Sequence, residues 1–102
     1  MMNNVEINKS LNNLSKLDKV MNLDDLIYEA FKAVDDYRDH FCDAEVRNIV
    51  EGKLCEIEKN FTKRKEITSD PYFDDVRRAF VEYEEVSLKL VQSYRDEIAL
   101  HE

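Results

Sequence analysis

One glycine, Gly52, and one proline, Pro71, stand in 102 residues. Hairpins and multi-stranded sheets need frequent turn residues, so a chain this poor in both is built from long helices joined by short links. Its length suffices for one hydrophobic core and is too short for two. The composition, 43% hydrophobic and 37% charged, is that of a folding chain rather than a disordered one.

Apolar spacing divides the chain. Residues 1–9 are polar and asparagine-rich and read as a flexible N-terminal arm, with 10–102 as a single helical-bundle domain. Leu11, Leu14, Leu17 and Met21 recur at helical spacing behind Ser10, a good N-cap, and predict a short helix over about 10–21. Asn22, followed by Asp24 and Asp25, reads as a fresh helix start, because acids in a first turn complement the helix dipole. The second helix then carries Leu23, Leu26, Ile27, Ala30, Phe31, Val34, Tyr37 and Phe41 on one face. In the third, Val46, Val50, Leu54, Ile57 and Phe61 step by fours and threes, the pattern of a bundle seam. "SDPYFDD" is the clearest boundary: Asp70 caps, Pro71 fits the first helical position, and a fourth helix begins at about 71. Its predicted face is Phe73, Val76, Phe80, Tyr83, Ser87, Leu90, Tyr94 and Ile98. Short links force neighbours to reverse direction. The expected fold is all-α: an antiparallel up-down bundle of three long helices plus the short N-terminal helix, with a pure three-helix bundle as the near alternative.

Charge narrows function. The net charge is −8, with nine acids against three bases from Asp24 to Glu51 and a small basic segment, "KNFTKRK", at 59–65. Such a chain is expected to avoid nucleic acid and anionic membranes. The longest uncharged run, "SLNNLS", is too short and polar to span a bilayer. "MMNNVEINKS" lacks the basic start and apolar stretch of a signal peptide, so the cytoplasm is the expected location and Cys42 and Cys55 are expected as reduced thiols.

The segment "AVDDYRDHFCDAEV" groups acids with His40 and Cys42. On a continuous helix those two diverge by about 200°, and only Asp36 and His40, four apart, share a flank. Zinc needs three or four ligands, and the carboxylate-bridged bundles need Glu-x-x-His, which does not occur. Gly-rich phosphate loops, Cys-x-x-Cys and nucleophile elbows are also missing from the sequence. The expectation is no catalytic residue, no cofactor and no metal. Asp43 is expected to open the third helix, and Gly52 with Cys55 lies opposite its seam, either as a small-residue strip for a close helix approach or as drift with no structural role.

What remains is surface. Asp25, Glu29, Asp35, Asp36, Asp39 and Asp43 form an acidic flank, and Val81 with Leu88 form a second apolar seam on the last helix. These eight are the candidate partner-binding residues. The expected function is a small acidic cytosolic protein-interaction module, an inhibitor or regulator docking on a basic protein surface. A nucleic-acid-binding protein is one version of that partner, and a phage or mobile-element inhibitor one version of the module. The alternatives are a structural homo-oligomer, a dimer in the simplest case, without catalytic activity, and, with less support, a metal-binding helical protein.

Overall fold

The computed structural model describes residues 3–102. It is all-α: α1 (Asn4–Asp36), α2 (Ala44–Thr68) and α3 (Asp74–Ala99) are the α-helices among the described residues, with one 3-10 turn in each link, at Arg38–His40 and Pro71–Phe73.

α1 corrects two expectations. The Asn3 side chain accepts from the Glu6 N–H at 2.9 Å while the Glu6 carboxylate accepts from the Asn3 N–H at 3.4 Å, a reciprocal cap that starts the helix early. Residues 4–9, expected as a flexible arm, are therefore its first turns; residues 1 and 2 of that arm lie outside the described residues. The separate short helix also does not exist, because α1 runs unbroken for 33 residues, about 50 Å by rise alone. Asn22 does not cap because nothing ends the helix before it: no glycine or proline lies between Asn4 and Asp36. Val20, Ile27 and Val34, seven apart and all buried, stay on one stripe only if the helix continues.

The two links follow their chemistry. Asp43, in extended conformation, accepts from the Glu45 N–H at 2.8 Å and caps α2. Asp70 accepts from the Tyr72 N–H at 2.9 Å with Pro71 following it. There the chain makes a 3-10 turn first, so α3 begins at Asp74 rather than at 71.

The main core joins Ile27, Ala30, Val34 and Phe41 to Val50, Leu54, Ile57 and Phe61 of α2 and to Val91, Tyr94 and Ile98 of α3. Each large side chain so buried contributes roughly 1.5–3 kcal/mol. The α2 seam matches its sequence pattern, with Val46 half-buried at its start. On α3 the buried line is Ser87, Val91, Tyr94 and Ile98, whereas Tyr83 and Leu90, assigned to the core by spacing, are exposed. Residues 90 and 91 differ by about 100° around the helix, so α3 is rolled toward α2. Arg95, bound to Glu51 at 3.1 Å and to Glu58, holds it there.

Cross-helix partners run in opposite order along α1 and α2, since Lys16 meets Asp70 and Asp24 meets Arg64. The same holds for α2 and α3, where Glu51 meets Arg95 and Phe61 meets Phe80 and Tyr83. α1 and α3 approach least along their lengths; their bridges lie at one end, Tyr94 to Asp35 at 3.2 Å and Arg38 to Glu97 at 2.8 Å. The result is a rod of 62 × 22 × 16 Å.

Candidate interaction surfaces

The outer face of α1 carries most of the expected acidic flank. Asp25, Glu29 and Asp36, spaced by four and seven, share one side of the helix turned away from the buried stripe of Val20, Ile27 and Val34, and all three are exposed. Asp39, in the 3-10 turn, continues the exposed acids past the helix end. No cation pairs with Asp25, Glu29, Asp36 or Asp39 among the described residues. The other two members hold structural posts. Asp35 accepts from the Tyr94 hydroxyl, whose ionisation is pushed above the ordinary tyrosine range by burial first and by that hydrogen bond second. Asp43 spends a carboxylate oxygen on the α2 cap.

Val81 and Leu88 lie elsewhere. With Arg64, Lys65, Thr68 and Arg77 they line a groove of about 260 Å³ between α2 and α3. This is the flank of α3 that bears Arg95 and faces α2, whereas the Tyr94 side faces α1. The acidic face and the second seam are therefore two surfaces. A second groove, about 370 Å³, runs between α1 and α2 on the side of Lys19, Leu23, Lys63 and Ile67.

Arg64 is the residue that sequence reasoning passed over. It is 5% exposed, donates from Nε to Asp24 Oδ1 at 2.7 Å, and stacks its guanidinium carbon 3.3 Å from the Phe80 ring centroid. One α2 side chain thereby ties α1 to α3. The signal was present, because the steps 50, 54, 57, 61 continue to 64 and 68, and Arg64 and Thr68 are both buried. Asn60 is also buried, and its Nδ2 has no hydrogen-bond partner among the described residues.

Gly52 serves no close approach: a side chain there would meet nothing within 4 Å. Cys55 is exposed and lies 3.6 Å from an Arg95 nitrogen. Arg95 donates to Glu58 and Glu51, and its own hydrogen bond holds the Glu58 carboxyl below its ordinary range. α1 ends at Asp36, before His40, so the helical flank expected for Asp36 and His40 is interrupted. Among the described residues no group of three or more His, Cys, Asp or Glu side chains is placed to hold a metal ion, and no helix is long and apolar enough to cross a membrane.

These features define an all-α protein of three helices whose longest helix presents an unpaired acidic face. Comparison with protein-family models, with curated proteins and with solved structures finds no match.

Proposed function

We propose that the chain is a small protein-interaction module, an inhibitor or regulator that docks the acidic outer face of α1 on a basic protein surface. The observation that carries this reading is the run of Asp25, Glu29 and Asp36 on one exposed helical side, where Lys32 is the one base among them and no acid of the run is held in an ion pair among the described residues. Carboxylates without an internal partner raise the rate of encounter with a basic surface and select against acidic ones. A nucleic-acid-binding protein presents such a surface. The proposal assigns the chain no catalytic step, no direct contact with nucleic acid and no membrane contact. It places the chain in the cytoplasm, in keeping with the unpaired thiols of Cys42 and Cys55. In the same reading the three helices form an antiparallel up-down bundle, supported by the reversed order of their cross-helix partners.

The test is affinity capture from the source cell with the wild-type chain and with an Asp25→Asn/Glu29→Gln/Asp36→Asn variant. A partner held by the wild type, lost by the variant, and released as salt rises from about 50 to about 300 mM supports the reading, since a Debye length near 10 Å screens such contacts. A partner held equally by both chains overturns it.

A further inference from the structure

From Asn4 to Asn12 every residue of α1 is exposed. Lys16 meets Asp70, which lies just past the end of α2, so these first turns project beyond the body of the protein. A projecting helix of this length is marginal in water without tertiary contacts. Yet it carries Ile7, Leu11 and Leu14, spaced by four and three, which are 42%, 58% and 54% exposed. Continued through Asp18, Met21, Asp25 and Tyr28, the spacing is a 3.5-residue repeat, the period at which one helix meets another. At 100° per residue this line lies about 130° around α1 from the buried stripe, so α2 and α3 cannot cover it.

The charges say which part of the line a second copy can cover. Beyond Asp18 the outer face bears Asp25, Glu29 and Asp36, and a parallel pairing would set each of these against itself. The side chains flanking the projecting part are Asn4, Asn8, Ser10, Ser15 and Leu17, all uncharged. On a chain of net charge −8 this is the stretch of α1's outer face where two copies meet without acid against acid.

We propose that the projecting turns of α1 pair antiparallel with those of a second copy, about a two-fold axis between Leu11 and Leu14. Leu11 of each chain then packs on Leu14 of the other, and Ile7 lies level with Asp18 at the rim. The two bodies sit at opposite ends of the joint helix pair, clear of one another. Ile7, Leu11 and Leu14 are each only about half exposed, so six such side chains with their polar flanks bury well under the usual range for stable complexes of about 1,200–2,000 Å². The dimer is accordingly weak and concentration-dependent. It presents two acidic faces on one particle, so a target with repeated basic sites is held by both.

The test is sedimentation equilibrium of the full chain from about 5 to 500 µM, where the mass should rise from 12.1 kDa toward twice that value. Leu11→Ser/Leu14→Ser should stay monomeric with the melting of the body unchanged, since both residues lie outside the core. The register is read by mixing Leu11→Glu with Leu14→Lys. Each alone should associate at least tenfold more weakly than wild type, and the mixture should recover, because antiparallel pairing sets the new glutamate against the new lysine and leaves two leucines together. A wild-type monomer at 500 µM, a dimer that survives Leu11→Ser/Leu14→Ser, or a mixture that fails to recover each overturns the proposal. A monomer that still captures a partner through Asp25, Glu29 and Asp36 would leave the interaction reading standing.

Discussion

Removing Asp24 should cost more stability than removing Arg64, although the two form one ion pair. The reason is where each charge sits. Arg64 has a side chain only 6% exposed, while that of Asp24 is 36% exposed. Asp24→Ala leaves a buried guanidinium stacked on Phe80 without its paired carboxylate, and breaking a buried pair in this way costs about 3–5 kcal/mol where both partners are enclosed. Partial exposure of Asp24 screens the lost attraction, so about 2–3 kcal/mol is expected. Arg64→Met keeps the aliphatic bulk between α1, α2 and α3 and leaves a carboxylate that water can solvate. Its cost, mainly the lost stacking on Phe80, is about 1 kcal/mol. In the double variant Asp24→Ala should add little, a coupling of about 2 kcal/mol. Urea unfolding followed by helical circular dichroism gives these values from the midpoint shift at constant slope, and the melting temperature should fall by about 8–24 °C for Asp24→Ala and about 4–8 °C for Arg64→Met. If Arg64→Met is the more damaging, or if the effects of the two substitutions simply add, Arg64 is not a buried charge that depends on Asp24.

Gly52→Ala should stabilise the protein by about 0.5–1 kcal/mol, because mid-helix glycine costs backbone entropy and the site is open; a lower melting temperature would show that the space is occupied. Asn60→Leu should gain about 1 kcal/mol by replacing a buried amide nitrogen that lacks a partner, and a loss in thermal melting would reveal a hydrogen bond at Nδ2. Glu58 is held below its ordinary range by Arg95, so the unfolded chain takes up its proton first. The stability from this group is present above the ordinary glutamate value near pH 4.3 and lost as pH falls through the lower folded value. Urea unfolding between about pH 5 and 3 should therefore show a shallower loss in Arg95→Met than in the wild type.

The all-α class and the α2 seam were legible because short-range periodicity decides them: Val50, Leu54, Ile57 and Phe61 leave one solution. The cap at Asp43 and the boundary at Asp70–Pro71 were legible for the same local reason. The expected break at Asn22 failed because a capping residue only permits a helix start. The intact hydrogen-bond ladder and the Val20, Ile27, Val34 stripe reward continuing. Leu11, Leu14, Leu17 and Met21 announced a helix by their spacing, but the sequence repeats an apolar period on two sides of α1, and only the positions of α2 and α3 say which side is buried. The eight candidate surface residues were readable as acids and apolars at helical spacing. Their division into a free outer face, a cap, a hydrogen-bond acceptor and a separate groove was not, since it depends on what stands opposite.

Composition and periodicity alone thus determined helices, links and the acidic character of α1, because turn residues, apolar spacing and side-chain charge act within a few residues of one another. Tertiary structure decided that α1 is one helix projecting past the body, that α3 rolls toward α2, and that Arg64 lies inside. Each of these turns on a contact between residues far apart in the chain, such as Asp24 with Arg64 or Glu58 with Arg95, and the free energy of such contacts is written in no local pattern.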